Sequence, residues 1–260
     1  MYLDVADLQE FYATRLGLAT GLLLQRKVRA IWPDVTGLRV LGLGFCSPFL
    51  GSFLDEAERV VSLMPAPQGV TRWPRGRANR VALTEEARLP VPDAMFDRVI
   101  LAHALENSEQ IRPMMREIWR VMAPEGRLLL IVPNRRGLWT RSDRTPFGWG
   151  HPYSRGQLRR FLNESPLTPT DWRRSLYLPP LRSRLGIKAL ASMERAGDAW
   201  LGRFAGIIMV EAEKRVYAQT DRLAPAKVRR LKPVLVPVAR PMRGGMTHAR
   251  TPEDEPPSAA

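Results

Sequence analysis

The order of apolar and polar positions along the chain predicts strands and helices that follow one another in turn. Short, nearly continuous apolar runs bounded by Gly or Pro are typical of buried strands. These runs cover residues 38–44, 59–64, 80–83, 96–101 and 127–132. A further strand is predicted over residues 171–178, and residues 206–216 contain the last one. Apolar residues that recur at a spacing of three or four predict helices over residues 3–31, 48–56, 109–122, 154–162 and 187–200.

This alternation predicts an α/β fold with a Rossmann-like, doubly wound and mostly parallel seven-stranded sheet with helices on both faces. Residues 1–35 form an N-terminal helical extension, which Pro33 ends. Residues 36–218 form the α/β domain. Residues 219–260 are rich in proline, first basic and then acidic, and hold too little apolar material to pack. We expect this tail to be disordered.

The composition excludes several classes of protein. The chain has 260 residues, 45% of them hydrophobic, which suffices for a substantial core. No apolar run approaches the roughly 18 residues of a membrane span. Asp4, Asp7 and Glu10 stand where an export signal carries positive charge, so we expect no signal peptide. The single cysteine, Cys46, excludes an internal disulfide and a multi-cysteine metal site, and a cytoplasmic location follows as the simple expectation.

The net charge of +14 has two interpretations. The charge reflects either arginines on solvated faces or a polyanionic partner such as RNA, DNA or an anionic membrane surface. Residues 221–260 contribute +4, so the body of the chain keeps +10 and the tail alone does not explain the charge.

A stretch in the middle of the chain resembles a known family. Residues 89–99 read Leu-Pro-Val-Pro-Asp-Ala-Met-Phe-Asp-Arg-Val, residues 104–106 read Ala-Leu-Glu, and residues 115–128 contain a Pro-Glu-Gly turn. This spacing resembles the methyltransferase type 11 group of class I S-adenosylmethionine (SAM) methyltransferases, and the resemblance covers residues 38–165. It implies SAM as the cofactor, bound beyond the carboxyl ends of the strands.

The loop after the first strand is the expected cradle for the cofactor, because backbone N–H groups and a helix N-terminus meet there. The resemblance implies cofactor contacts at Gly42, Gly44, Cys46 and Ser47. The family has an acid and then three glycines at alternate positions. This chain has Gly42 in place of the acid, keeps Gly44, and replaces the other two glycines by Cys46 and Pro48. These changes restrict the backbone and remove a donor. A small buried residue is the other interpretation of Cys46.

The other implied cofactor contacts lie at the ends of the later strands. The family has an acid after the second strand for the ribose hydroxyls, but residues 62–69 hold no carboxylate. Ser62 or Gln68 is the candidate partner of a hydroxyl there. Glu85 stands at the position of the acid that binds the adenine amino group, with a solvated surface side chain as the alternative. The remaining residues implied to line the cofactor site are Met64 and Leu101.

Methyl transfer requires the nucleophile to be aligned with the methyl group and water to be excluded. A general base helps where the acceptor is a hydroxyl or a phenol. His103, just after the fourth strand, and His151 and Tyr153, in a later loop, are the candidates on the acceptor side. For each histidine, a hydrogen-bonded structural side chain is the alternative. No group of residues has the spacing of a metal site, so no metal is expected.

The segment after the fifth strand, residues 133–153, mixes arginine with aromatic residues. Loops of this length are usually lids or disordered, and the aromatic residues argue against disorder. We predict a lid over the substrate, with guanidinium groups suited to phosphate or carboxylate, and a solvated basic face as the alternative. The candidate substrate-binding residues are Arg135, Arg136, Trp139 and Arg144.

Three functions follow as hypotheses. The first is a SAM-dependent methyltransferase acting on a small or medium-sized acceptor with an anionic part. The second is a catalytically inactive methyltransferase-like binding or scaffold protein, which the altered glycine loop and the missing ribose acid favour. The third is an RNA methyltransferase, for which only the charge argues.

Overall fold

The centre of the molecule is a seven-stranded sheet, within the residues that the structure describes. The computed structural model describes residues 3–180 and 204–215, and between them Glu194, Gly197 and Gly202. The strands are β1 (Arg39–Gly44), β2 (Arg59–Pro65), β3 (Val81–Thr84), β4 (Phe96–Ala102), β5 (Met122–Pro133), β6 (Leu167–Ser175) and β7 (Ile207–Lys214). Their order is β3-β2-β1-β4-β5-β7-β6. The first five strands are parallel, and β7 runs antiparallel between β5 and β6.

Helices cover both faces of this sheet, which confirms the predicted fold class. They are α1 (Val5–Ala13), α2 (Arg15–Ile31), α3 (Ser47–Leu50), α4 (Ile111–Val121) and α5 (Arg155–Glu164). One apolar layer packs α1 and α2 on the sheet, and the other packs α4 and α5. In β5, Leu129 and Ile131 face the first layer, whereas Leu128 and Leu130 face the second. Burial on both faces explains why the strands read as continuous apolar runs.

The predicted helix over residues 3–31 is two helices that meet at Thr14. The backbone of Thr14 is extended, with φ −70° and ψ 160°, and its hydroxyl accepts a hydrogen bond of 3.0 Å from the Gly17 N–H as the N-cap of α2. Gly17 lies directly against the end of α1, where a Cβ would stand 1.9 Å from the Phe11 carbonyl oxygen. The apolar spacing continues through the break, so it predicts one helix instead of two.

The strand β6 begins and ends earlier than the predicted strand over residues 171–178. Its first residues, from Leu167 to Asp171, are mostly polar and include Pro169. This composition suits an edge strand, which β6 is, because one of its sides makes no ladder hydrogen bonds. The pairing with β7 therefore sets the limits of β6, and its own sequence pattern does not.

Of two further predicted helices, one is shorter in the structure and the other lies mostly outside the described residues. The helix predicted over residues 48–56 is the short helix α3 followed by a 3-10 turn, Gly51–Phe53. The helix predicted over residues 187–200 lies outside the described residues, except Glu194 and Gly197. The tail over residues 219–260 lies outside them as well, so the domain limits and the expected disorder stay predictions.

Candidate functional site

The carboxyl ends of β1 and β4 meet in a close backbone contact. Gly44, the last residue of β1, has φ +88°, and a Cβ on it would lie 2.2 Å from the Ala102 carbonyl oxygen and 2.8 Å from the Ala104 Cβ. Only glycine fits such an approach without a shift of the backbone. The loop after β1 is thereby fixed against the segment that follows β4.

The residue after β4 is the centre of a buried polar cluster. His103 has φ +53°, a conformation that is uncommon for a residue with a side chain. Its Nε2 lies 2.9 Å from the Tyr12 hydroxyl on α1, and its Nδ1 lies 3.6 Å from Glu106 Oε1. The His103 carbonyl accepts a bond of 2.7 Å from Gln68 Nε2 and one of 3.5 Å from Asn107 Nδ2. We call these five residues the His103 cluster.

The His103 cluster presents oxygen atoms that have no hydrogen-bond partner within the described part of the protein. These atoms are Gln68 Oε1, Asn107 Oδ1 and both carboxyl oxygens of Glu106. The side chain of Glu106 has no exposed surface, and Gln68 is likewise fully buried. Buried acceptors of this kind nearly always find a donor in protein, water or ligand. The cluster is therefore suited to groups that donate hydrogen bonds, such as hydroxyls or an ammonium group.

Burial sets the protonation of the two titratable groups at the centre of the cluster. Removal from water raises the pKa of Glu106 to about 8 and lowers the pKa of His103 to about 3. At neutral pH Glu106 is thus a protonated carboxylic acid and His103 a neutral imidazole. Burial and the nearby Glu106 also raise the pKa of Tyr12 well above its usual range. The cluster holds no net charge at neutral pH.

The raised pKa of Glu106 predicts that the folded protein loses stability between pH 6.5 and 8. In this window an unfolded chain has released the Glu106 proton, since its pKa there is near 4.5, whereas the folded chain keeps it. The free energy of unfolding should therefore fall as pH rises, by up to about 2 kcal/mol. The lowered pKa of His103 has the opposite effect only below pH 6.5. Urea unfolding at several pH values measures how the free energy of unfolding changes with pH.

The matched variant for this experiment is Glu106→Gln, which cannot titrate. Subtracting the pH dependence of the variant from that of the wild type removes the contributions of all other groups. A variant whose stability falls with pH as steeply as that of the wild type would contradict the assignment of the slope to Glu106.

Aromatic rings close over the His103 cluster. The Tyr12 ring stacks on Phe45 with a centroid distance of 5.7 Å and an interplanar angle of 24°, and it meets Phe49 edge-on at 6.2 Å. The His103 ring lies 5.0 Å from the Phe147 ring. The helix α1, the loop after β1 and the segment after β5 thus jointly exclude water from this edge of the sheet.

A cavity of about 370 Å³ opens beside this aromatic cover. Tyr12, Phe45, Ser47 and Pro48 line one side of it, and Trp73 lines another. The hydroxyl oxygen of Ser47 is buried and has no partner among the described residues. The loop after β1 therefore borders both the His103 cluster and an open cavity.

The structure brings all three predicted acceptor-side residues to the segment that holds His103. The His151 backbone N–H donates to the Glu106 carbonyl at 2.7 Å, although the His151 side chain is exposed. The Tyr153 hydroxyl donates to the Leu105 carbonyl at 3.2 Å, and burial raises the pKa of Tyr153 to about 12. The catalytic roles of these residues stay predictions.

The structure gives a packing reason for the altered glycine loop. A Cβ on Gly42, where the family has an acid, would lie 2.7 Å from both Cys46 Cβ and Leu50 Cδ1. The Cys46 thiol is buried and lies 3.3 Å from the Leu43 carbonyl oxygen and 3.4 Å from that of Ile100. Burial raises the pKa of this thiol to about 12, so it is a packing group and not a reactive thiolate. Cys46 therefore occupies space that a side chain at position 42 would need.

The other predicted cofactor residues fall into two groups. Met64 and Leu101 are buried in the core at the ends of β2 and β4. The side chain of Glu85 is exposed, and its backbone pairs with that of Arg88 in an isolated antiparallel β-bridge. Its neighbour Glu86 makes the contact with the segment after β4, since it accepts a bond of 2.6 Å from the Ser108 hydroxyl. Cofactor contacts at these positions stay predictions.

The predicted lid over residues 133–153 is an ordered segment with two 3-10 helices, Trp139–Arg141 and Pro146–Gly148. Trp139 is buried in the core, and its indole N–H donates to the Leu178 carbonyl at 2.6 Å. The guanidinium-bearing residues predicted to bind substrate are all exposed on the surface: Arg135, Arg136 and Arg144. The structure does not gather these three arginines around the His103 cluster, and their role in substrate binding stays a prediction.

Sequence reasoning missed Tyr12, Glu106 and Asn107 as members of the site. One sequence signal points to Glu106: this charged residue directly follows residues 101–105, which are apolar except for His103. Tyr12 gives no such signal, because it belongs to the apolar stripe of a predicted helix. Among the described residues, no helix is long and apolar enough to cross a membrane, and no group of three or more His, Cys, Asp or Glu side chains is placed to hold a metal.

Residues 41–130 match the model of a family described as a methyltransferase domain. The matched stretch runs from β1 into β5 and contains every member of the His103 cluster except Tyr12. A solved SAM-dependent methyltransferase from Thermotoga maritima has the same fold, with a TM-score of 0.58 at 13% identity over 81% of this chain and 96% of that one. Residues 41–130 thus resemble a methyltransferase domain, and the described part of the chain has the fold of a SAM-dependent methyltransferase.

Two curated relatives share a stretch of 119 residues with this chain. The demethylmenaquinone methyltransferase of Deinococcus radiodurans is 46% identical over this stretch, which covers 45% of this chain and 41% of the relative. The demethylmenaquinone methyltransferase of Thermus thermophilus is 32% identical over 45% of each chain. The shared stretch is thus less than half of the length of either relative.

Proposed function

We propose that this protein is a SAM-dependent methyltransferase that acts on a small acceptor. The observation that carries this proposal is the family match over residues 41–130, which contains the loop after β1 and most of the His103 cluster. Both curated relatives are named as methyltransferases.

The unpartnered oxygens of the His103 cluster fit the donor groups of SAM. SAM carries ribose hydroxyls and an ammonium group, which need acceptors in any buried site. In this chain Gln68, Glu106 and Asn107 present such acceptors at the ends of β2 and β4. They offer hydrogen-bonding capacity near the position where the family has its ribose acid and this chain has none. The fit therefore rests on residues that lie outside the glycine loop.

When bound, SAM supplies a methyl group that is already activated by its sulfonium charge. The contribution of the protein is then to align the acceptor, exclude water and take up a proton where the acceptor carries one. The ionised carboxylate of Glu106 is the stronger base of the central pair, because the pKa of Glu106 is about 8 whereas that of His103 is about 3, and this form becomes populated as pH rises towards 8. Tyr12, Phe45 and Phe147 exclude water from the same space.

Calorimetric titration with SAM and with S-adenosylhomocysteine tests the cofactor part of the proposal. We expect saturable binding, weakened about tenfold in Gln68→Ala because a buried hydrogen bond to the ligand is lost. Glu58→Gln is the matched control, since Glu58 is an exposed side chain at the opposite, amino edge of the sheet and pairs with Arg39. Equal weakening in both variants would contradict a site at the His103 cluster.

Methyl transfer itself is tested with methyl-labelled SAM and two acceptor pools from cells, a small-molecule extract and total RNA. We expect label in the small-molecule pool. Label in RNA alone would replace the proposal by an RNA methyltransferase, in keeping with the net charge of +14. Label in neither pool would leave the protein without methyltransferase activity towards either class.

A methyltransferase-like binding protein without catalysis is the second candidate. The close packing at the sheet edge favours it: Tyr12 stacks on Phe45, and Gly44 lies directly on Ala102 and Ala104. In that case neither the wild type nor Tyr12→Ala, which removes part of the cover, would bind SAM. Binding by Tyr12→Ala alone would show that the site is intact beneath α1.

A further inference from the structure

A second site candidate lies at the free edge of the sheet, away from the His103 cluster. A cavity of about 500 Å³ is situated beside β6, and we call it the Arg174 cavity. The volume falls within the range of small-molecule sites. The described residues that line it are Lys27, Arg155, Trp172, Arg173, Arg174, Glu194 and Ile208.

The only acidic side chain among these described lining residues is already satisfied by the protein. The carboxylate of Glu194 accepts hydrogen bonds from the Ser175 hydroxyl and from the Leu176 backbone N–H, the latter at 2.9 Å. Lys27 Nζ lies 3.2 Å from the same carboxylate and donates to the Arg174 carbonyl at 2.5 Å. Glu194 and Lys27 thus form a structural pair that braces the end of β6, and their charges cancel.

The remaining charges of the Arg174 cavity are three guanidinium groups. Arg173 is paired with Asp171 at 2.8 Å. Arg155 lies over the ring of Trp172, 4.7 Å from its centroid, and Trp172 carries no charge. Within the described part of the chain, neither Arg155 nor Arg174 forms an ion pair with a carboxylate. Two guanidinium groups that have no acidic partner among the described residues therefore line one cavity, next to the ring of Trp172.

We propose that the Arg174 cavity binds a small molecule through a phosphate or carboxylate group, held by Arg155 and Arg174. A guanidinium group presents a planar fork of donors that matches these anions in two parallel hydrogen bonds. Trp172 orients Arg155 by the cation–π contact and offers an apolar surface to the rest of the ligand. The site lies in neither the loop after β1 nor the segment over residues 133–153.

The Arg174 cavity lies near the carboxyl end of β6, and the His103 cluster follows the carboxyl end of β4. The strand β6 runs parallel to β5, because both are antiparallel to β7, so Ser175 ends β6 at the carboxyl edge. Three strand spacings separate β6 from β4, which is roughly 14 Å. A ligand of moderate length spans this distance. That the ligand is the methyl acceptor rests on the proposed function, whereas the anion site does not.

The test is calorimetric titration of the full chain with inorganic phosphate, pyrophosphate and citrate at about 150 mM salt, where long-range attraction is largely screened. We expect saturable binding of pyrophosphate or citrate, weakened about tenfold or more in Arg174→Gln and in Arg155→Gln. Preference for pyrophosphate identifies a phosphorylated ligand, and preference for citrate a carboxylated one. Arg174→Lys should recover only part of the affinity, because the charge returns without the fork.

Arg160→Gln is the matched control, since Arg160 is an exposed arginine on α5, the helix that carries Arg155, and is not one of the described residues that line the Arg174 cavity. We expect this variant to keep wild-type affinity. Equal weakening in Arg160→Gln and Arg174→Gln, with unchanged melting temperatures, would overturn the proposal in favour of general attraction to a basic protein, and so would absence of binding to the wild type. A SAM titration of the same preparations separates these outcomes from failure of the proposed function.

Discussion

Replacement of Gly44 by alanine is expected to destabilise the protein by about 2–5 kcal/mol. The added Cβ would lie 2.2 Å from the Ala102 carbonyl oxygen, which is backbone and cannot rotate away. Overpacking of this kind costs roughly 1–3 kcal/mol, and the positive φ of +88° adds about 1–2 kcal/mol for a residue with a side chain. Thermal unfolding should show a melting temperature lower by roughly 10 °C.

Gly76→Ala is the matched control for this prediction. Gly76 also has a positive φ, +73°, but no atom lies within 4 Å of the position of its Cβ. This variant carries the torsional cost without the clash, and its stability should fall by only about 1–2 kcal/mol. If Gly44→Ala and Gly76→Ala lowered the free energy of unfolding equally, the ends of β1 and β4 would have moved apart to admit the new Cβ at no cost.

Replacement of Glu106 by glutamine is expected to reduce the rate of methyl transfer by about 100-fold or more, once an acceptor that carries a proton is identified. General base catalysis contributes roughly 10²–10⁴ in rate, and glutamine cannot accept the proton. In the wild type the turnover number should rise as pH increases through about 8, because Glu106 then loses its proton. The variant should show no such rise.

The comparison of kcat with KM distinguishes this role from a structural one. Glutamine has the shape of glutamate and keeps an acceptor oxygen, so we expect KM to change little while kcat falls. A parallel change of both constants, or a variant that keeps the pH profile of the wild type, would remove Glu106 from the chemistry. Since glutamine titrates neither in the folded nor in the unfolded chain, the variant is also expected to fold at neutral pH.

Much of the fold could be predicted because the central strands are buried on both faces. The runs at residues 38–44, 59–64 and 96–101 coincide with β1, β2 and β4 to within one or two positions. Continuous apolar sequence of this length leaves little choice of structure. The start of β5 at Met122 could not be predicted, because it depends on pairing of Met122 with Phe96 across a register shift.

The candidate site could be predicted less completely than the fold, because its properties depend on which side chains the fold buries. The sequence singles out His103 by its position after a strand, but it does not show that the nearby Glu106 is enclosed without a hydrogen-bond partner among the described residues. Nor does it show which aromatic residues after β5 turn inward. Trp139 enters the core whereas Trp149 is exposed, although both belong to the segment over residues 133–153.

The break at Thr14 has a consequence for the affinity of any ligand of the His103 cluster. Because Thr14 separates α1 from α2, movement of α1 away from the sheet would take Tyr12 with it and leave the hydrogen bonds within α2 intact. If a ligand needs the space that Tyr12 fills, its apparent dissociation constant equals the intrinsic one divided by the fraction of molecules in which α1 is undocked. Such a ligand would also have to break the contacts of Tyr12 with His103 and Phe45.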